Sequence, residues 1–191
     1  GGNLMLILLF TAFISLIRGM GLPTTAAYLI LATVVAPALA KMGVPLLTAH
    51  LFVFFYGCVS TITPPVALAS YVAAGIAKAD INRVGWTAFT YGITCYLLPF
   101  IFFYGPALLM QASVFDIVLA AASGGGGVFC IAAFVVGQFI NPLNLPWRIA
   151  MGAAGLALLH QSLITDLLGT IVLLLIWFIT RRGAPVDGNP S

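Results

Sequence analysis

Apolar segments follow one another through most of this chain and carry very few charges. Residues 86–110 and 116–140 are each long enough for a membrane span, which takes about 20 residues. Only 6% of all residues are charged, and a soluble fold of 191 residues could not hide so much apolar surface. The segments are continuous rather than short and alternating, which excludes a barrel. The sequence therefore predicts an all-α integral membrane protein with several spans.

The stretch GMGLPTT, Gly19 to Thr25, interrupts the first apolar region. Gly19, Gly21 and Pro23 oppose a continuous helix, and the flanking segments 4–17 and 25–40 are each shorter than a full span. Two short helices joined by such a tip predict a re-entrant hairpin over 4–40 that turns back near the membrane centre. A kinked pair of ordinary spans is the alternative.

A second interruption, STITPPV at 60–66, lies inside the apolar region 46–77. Pro64 and Pro65 lack the amide hydrogens that a helix needs, and Thr63 is disfavoured in helical geometry because a proline follows it. The sequence predicts a discontinuous helix here, with two half-helices separated by unwound backbone near the membrane centre.

The two interruptions are predicted to reach a similar depth and to present hydroxyl and carbonyl oxygens there. Oxygen ligands without a carboxylate suit a monovalent cation such as Na⁺ better than a divalent ion. The predicted Na⁺ ligands are the five hydroxyl residues of the two breaks: Thr24, Thr25, Ser60, Thr61 and Thr63. The alternative is that both breaks serve helix packing alone.

Other polar residues have simpler interpretations. Asp116 and Asp166 are expected in the first turns of helices, where the helix dipole favours a carboxylate. His50 and His160 are expected to be isolated, and the glycine run 123–127 is expected to permit close helix packing or a kink. The three cysteines, far apart in apolar segments, are expected to be packing residues. No protease, hydrolase or paired-carboxylate motif indicates an enzyme, and the net charge of +3 is too dispersed for nucleic-acid binding.

Lysine and arginine predict the orientation, because cytoplasmic loops are enriched in both. Placing the polar loop 78–85, Arg148 and the Arg181-Arg182 pair on the cytoplasmic side makes 86–110 and 116–140 cross out and back. The apolar pieces 149–160 and 163–180 must then cross twice or re-enter. The hairpin 4–40 opens to the outside, where Lys41 lies.

The segments GMGLPTTAAYLI and LFVFFYGCVSTITPPVALASYVAAGIA together resemble the second half of the large membrane subunit of tripartite ATP-independent periplasmic (TRAP) transporters. The following arrangement, including SLITDLLGTIVLLL, resembles fused permeases that work with TAXI-type solute-binding proteins. The resemblance implies an elevator-type permease of the bacterial inner membrane that uses Na⁺ as coupling ion and has no other cofactor. It also implies a periplasmic binding protein as partner and an organic acid as substrate, either a dicarboxylate or an amino acid such as glutamate.

The resemblance also implies which residues line the ion and substrate region: Gly19, Gly21, Pro23, Thr24, Thr25, Ser60, Thr61, Thr63 and Pro64. One departure concerns substrate contacts, because Ala67-Leu68-Ala69 stands where many family members have Gly-Leu-Asn. Residues 1–110 are expected to form the second repeat of the transport core, and 111–191 a C-terminal membrane extension with a polar tail.

We expect the rest of the permease, including a first repeat, to lie on further sequence, and lipid to surround the chain. Arg18, next to the hairpin tip, has two candidate roles: facing a carboxylate substrate, or satisfying backbone carbonyls at the helix end. The alternative function is a membrane scaffold or assembly subunit that does not transport.

Overall fold

The computed structural model describes residues 4–160 and 162–182, and the tail predicted after Arg182 lies outside this part of the chain. The chain divides into two compact units, 1–104 and 105–191, so that the first unit ends six residues before the predicted boundary at 110. In the described residues all regular secondary structure is helical, which confirms the predicted all-α class.

The described part of the first unit, residues 4–104, contains six α-helices. They are α1 (Leu4–Gly19), α2 (Thr24–Lys41), α3 (Leu46–Val59), α4 (Leu68–Ala77), α5 (Ile81–Tyr91) and α6 (Ile93–Tyr104). Helix α3 contacts α1, α2 and α6, so it forms the centre of the unit. Its Phe52 and Val53 are buried together with Leu8 of α1 and Leu31 of α2.

Helix α2 is longer than the sequence analysis predicted. It has 18 residues and is apolar enough to count as a candidate span, whereas α1, with 16 residues, is shorter than that. The helix starts directly after Pro23, whose fixed φ of −59° suits a helix start. The second arm of the hairpin is therefore Thr24–Lys41 instead of the predicted 25–40, and its re-entry into the membrane stays a prediction. The helix–turn–helix arrangement itself is present.

The predicted loop 78–85 and the predicted span 86–110 both have the wrong limits. Asp80 caps α5, its carboxylate accepting a hydrogen bond of 2.8 Å from the Arg83 amide, so the helix begins at Ile81. A turn at Gly92 separates α5 from α6, which ends at Tyr104 before Gly105 and Pro106. Together α5 and α6 form one candidate span, Ile81–Phe103.

The second unit contains a 3₁₀ turn (Pro106–Leu109) and three helices: α7 (Val114–Val136), α8 (Leu145–Leu159) and α9 (Leu163–Arg182). Helix α7 starts after Ser113, whose hydroxyl accepts from the Asp116 amide, and it ends at Gly137, where φ is +75°. Its limits are therefore 114–136 instead of the predicted 116–140. Helices α7 and α9 are candidate spans, whereas α8, with 15 residues, is shorter.

The glycine run lies within an uninterrupted α7, and Gly127 in this run packs closely against α8. A Cβ built on Gly127 would lie 2.8 Å from Leu159 Cγ and 3.0 Å from the Gly155 carbonyl oxygen. The prediction of close packing is confirmed at Gly127, while the space next to Gly125 is open.

Two basic residues lie at the same end of the second unit. Arg148 of α8 donates hydrogen bonds to the carbonyls of Phe134 and Val135 at the end of α7. The Asn141 side-chain amide donates to the Thr180 carbonyl at 2.8 Å, which fixes the end of α9 beside the α7–α8 loop. Arg148 and Arg181 therefore lie at the same end of the unit, and α8 and α9 form a helical hairpin.

Candidate functional site

The predicted interruption of the helix after Val59 is present and has a distinct backbone structure. Ser60–Ile62 form a single 3₁₀ turn, and Thr63 is extended, with φ −95° and ψ 119°. The Pro64–Pro65 peptide bond is cis, and α4 begins only at Leu68. This confirms the prediction of two half-helices separated by unwound backbone.

Three hydroxyl groups of this break donate hydrogen bonds to three successive carbonyls at the end of α3. Ser60 donates to the Gly57 carbonyl and Thr61 to the Cys58 carbonyl, both at 2.7 Å. Thr63 donates to the Val59 carbonyl at 2.6 Å. Because each hydroxyl hydrogen is directed to the backbone, the oxygen lone pairs remain available to accept a hydrogen bond or bind a cation.

The hairpin tip contacts the break. A Cβ built on Gly19, the last residue of α1, would lie 2.4 Å from Ser60 Oγ, so only glycine allows this approach. Ser60 is fully buried. Gly21, with φ +78°, has Val66 as its neighbour. The structure thus brings two predicted site residues, Gly19 and Ser60, into direct contact.

The other predicted residues lie around this contact with different exposures. Thr61 and Pro64 are half-buried and Thr63 is buried, whereas Gly21 and Pro23 are exposed. Thr24 and Thr25 are the first two residues of α2, half-buried and exposed respectively. They therefore lie at the beginning of a helix, while Gly19 and Ser60 lie at the ends of two others.

Each break has a helix end on one side and a helix start on the other, and these two sides have opposite electrostatic character. Helices α1 and α3 end at Gly19 and Val59, where the carbonyl ends of the helix dipoles are partly negative. Helices α2 and α4 begin on the other side of each break, after Pro23 and Ala67. Neither start has a side-chain cap, so partly positive amide groups are available there.

A tyrosine pair that the sequence did not predict supports the break. Tyr96 lies on α6 and Tyr56 on α3. The Tyr96 hydroxyl forms a 2.6 Å hydrogen bond with Thr63 Oγ1, and the Tyr56 hydroxyl donates to the Tyr96 carbonyl at 2.8 Å. Tyr96 lies in an aromatic-rich segment whose composition indicates only a membrane span. The contact depends on tertiary packing, so no local signal identifies it.

Two buried serines near the breaks were also missed. Ser15 of α1 and Ser70 of α4 are 0% and 3% exposed, and neither hydroxyl has a hydrogen-bond partner among the described residues. Ser15 lies one helical turn before Gly19 and on the same face of α1. Buried hydroxyls normally have partners, so these two are places where a bound ion or substrate could supply one.

A cleft of about 210 Å³ lies beside the prolines of the break, lined by Pro64, Pro65, Tyr71 and residues of α5. The Tyr71 hydroxyl donates to the Pro65 carbonyl, and Gly85 of α5 faces Pro64. Helix α5 thus closes one side of the break, although the sequence analysis placed Gly85 in a loop.

The remaining ionisable candidates lie apart from the contact between Gly19 and Ser60. Arg18 is exposed, so both predicted roles stay predictions. His50 Nδ1 forms a 3.1 Å hydrogen bond with the Tyr28 hydroxyl, a contact that the sequence did not predict. In residues 4–160 and 162–182 there is no group of three His, Cys, Asp or Glu side chains that could hold a metal ion.

A family model described as the DctM component of the tripartite ATP-independent periplasmic transporter matches residues 1–117. The match covers the whole first unit with both breaks, and it stops early in α7. Neither a curated protein nor a solved structure matches the chain. Broken apolar helices around hydroxyl and carbonyl groups are the usual architecture of transporter sites in membranes. The chain is a multi-pass membrane protein and belongs to the DctM component family of the tripartite ATP-independent periplasmic transporters.

Proposed function

We propose that this chain is the second-repeat portion of a Na⁺-coupled permease that imports organic acids in the bacterial inner membrane. The contact between Gly19 and Ser60 carries the proposal, because it joins the two helix interruptions into one region. A scaffold has no need for unwound backbone at a place where hydrocarbon penalises every unsatisfied polar group.

The Na⁺ would bind where α1 and α3 end. Both helix ends are partly negative, and the Ser60 and Thr61 oxygens have lone pairs free because their hydrogens bond to the backbone. The Thr63 oxygen also bonds the Tyr96 hydroxyl, which leaves it one lone pair for an ion. The unpartnered Ser15 hydroxyl is a further candidate ligand on the same face as Gly19. Neutral oxygens suit a monovalent ion that can be released again.

The substrate carboxylate would bind where α2 and α4 begin. These helix starts have free amide groups and a partly positive dipole end, which favours anions. Thr24 and Thr25 lie in this first turn of α2, so we assign them to the carboxylate rather than to the ion. Ser70 in the first turn of α4 is the hydroxyl closest in sequence to the Ala67-Leu68-Ala69 departure and could replace the missing asparagine.

The proposed partners are a TAXI-type periplasmic binding protein and the remainder of the permease. Family membership supports a periplasmic binding protein in general, and the TAXI type is supported by the sequence resemblance. We propose that the periplasmic binding protein docks at the outer face of the permease around residues 41–48, where the α1–α2 hairpin opens. Uptake by the full permease in liposomes should depend on the binding protein, and equal uptake without it would contradict this assignment.

The Na⁺ site is tested by Thr61→Val in the full permease. The substitution keeps the side-chain shape and removes one oxygen, and a lost contact to a charged group costs about 1.5–3 kcal/mol. The Na⁺ concentration for half-maximal uptake should rise about tenfold to a hundredfold. Thr33→Val is the matched control, because the Thr33 hydroxyl also bonds backbone carbonyls, at Leu29 and Ile30, but is exposed on α2.

Two serine variants distinguish the proposed ion site from the proposed substrate site. Ser15→Ala should raise the half-maximal Na⁺ concentration, and Ser70→Ala should raise the KM for the organic acid. An unchanged Na⁺ dependence in both Thr61→Val and Ser15→Ala would contradict the proposed ion site.

A further inference from the structure

The turn between α8 and α9 lies beside the middle of α7. Leu159, the last residue of α8, packs against Gly127, which is about 20 Å along the 23-residue α7 from Val114 at 1.5 Å per residue. Gly169 of α9 packs against Leu158 of α8 at nearly the same level. Because α7 is long enough to cross the bilayer, a bilayer centred on α7 places the tip of the α8–α9 hairpin inside the membrane.

An aspartate lies at this tip. Asp166 is in the first turn of α9, as predicted, and its Oδ1 atom is buried without a hydrogen-bond partner among the described residues. The Ser123 hydroxyl of α7 faces the carboxyl group. Ser123 lies about 14 Å along α7 from Val114, which is also far from either end of the helix.

The Asp166 carboxyl group is not the cap of α9. The Ser162 amide donates to Thr165 Oγ1, and the Thr165 hydroxyl donates to the Ser162 carbonyl, so these two residues form the cap. Asp116 at the start of α7 is different, because it is exposed and accepts a hydrogen bond of 2.7 Å from the Ser113 hydroxyl. An ionisable residue at membrane depth is a candidate functional site.

The surroundings of Asp166 indicate which ligand it binds. A metal cation such as Ca²⁺ needs six to eight oxygen ligands, and the described residues hold no group of three His, Cys, Asp or Glu side chains that could supply them. A proton needs one oxygen only. The titratable group that faces Asp166 is His160, exposed at the end of α8, while Arg148 is held at the opposite end of that helix.

We propose that the Asp166 carboxyl binds and releases a proton inside the membrane, at the tip of the α8–α9 hairpin. A bound proton would remove the charge from a carboxyl group whose Oδ1 atom has no hydrogen-bond partner among the described residues, and the exposed His160 at the end of α8 is its titratable neighbour. The site is independent of the Na⁺ region of the first unit, so failure of either proposal leaves the other intact.

Dicyclohexylcarbodiimide tests the proposal, because this apolar reagent modifies protonated carboxyl groups in apolar surroundings. The permease in native membranes is labelled over a range of pH, and adducts are located by peptide mass spectrometry. The peptide that contains Asp166 should carry the adduct, and its labelling should fall about tenfold per pH unit above the titration midpoint. Asp166→Asn should lose the adduct, and Asp116→Asn should keep it.

An infrared measurement gives a second readout. The carbonyl stretch of a protonated carboxyl should be present in the wild type and in Asp116→Asn and be absent from Asp166→Asn. Absence of an adduct on Asp166 in the wild type, or labelling independent of pH, would overturn the proposal even if Asp166→Asn fails to fold.

Discussion

The first and second units place polar groups at membrane depth in two different ways. In the first unit, the helix is interrupted after Val59, and neutral hydroxyls direct their hydrogens to the carbonyls that end α3. In the second unit the described helices are uninterrupted, and one ionisable side chain, Asp166, has an oxygen atom without a partner among the described residues. Several weak oxygen ligands suit a metal cation, whereas one carboxyl suits a proton. Under the two proposals, backbone geometry and side-chain charge are alternative means of binding a cation in hydrocarbon.

Gly19→Ala should have the largest effect, because it disrupts the contact between the hairpin tip and the break in the first unit. The new methyl group would come within 2.4 Å of the buried Ser60 Oγ, and such overpacking costs about 1–3 kcal/mol of stability. Thermal unfolding of the purified permease measures this loss, and uptake should fall with it because the hairpin tip moves away from the break.

A second substitution tests the cause. Ser60→Gly removes the atoms that clash, so Gly19→Ala/Ser60→Gly should regain stability but keep a weakened Na⁺ dependence. Gly75→Ala, on an α4 position with open space around it, is the control. Equal stability of Gly19→Ala and Gly75→Ala would show that the tip and the break are not in contact.

Gly127→Ala tests the depth of the hairpin tip in the second unit. A methyl group here meets Leu159 at 2.8 Å and the Gly155 carbonyl oxygen at 3.0 Å, so we expect a loss of about 1–3 kcal/mol in the free energy of unfolding. Gly125→Ala, two residues away on α7 and facing open space, should have little effect. If the two variants unfold at the same temperature, α8 does not pack against α7 at this level, and the assigned depth of Asp166 is wrong.

Tyr96→Phe should have the smallest effect of the three. It removes one hydrogen bond to Thr63, worth about 0.5–1.5 kcal/mol, while the Thr63 hydroxyl keeps its bond to the Val59 carbonyl. A modest fall in unfolding temperature with a nearly normal Na⁺ dependence is expected. Tyr91→Phe, at an exposed position on α5, serves as control. A fall in Na⁺ affinity as large as that of Thr61→Val would make Tyr96 part of the ion site itself.

The sequence predicted the interruptions correctly because glycine and proline act locally on the backbone. The positions of Gly19, Pro23 and Pro64 suffice to end and restart helices, and the tip and the break do meet. The limits of α5 were wrong because Asp80 was assigned to a loop instead of a helix cap. That signal was present in the sequence.

Other features could not be read from the sequence. Hydrophobic periodicity shows which face of a helix is buried but not how far one helix is displaced along another. The depth of Asp166 depends on such a displacement, set by the packing of Leu159 against Gly127. The unpartnered Ser15 hydroxyl likewise becomes evident only once α1 and α3 are packed together.

The hydrogen bond between Asn141 and Thr180 has a consequence for the order in which this membrane protein assembles. Helix α8, with 15 residues, is too short to be held stably across a bilayer by its own length. Its neighbour α9 emerges later from the ribosome and is a 20-residue, strongly apolar helix. Since Asn141 fastens the last turn of α9 to the loop before α8, the hairpin closes only after that turn has been synthesised. Until then α8 is held by its packing against α7 alone, so the second unit is complete only when its last helix turn is in place.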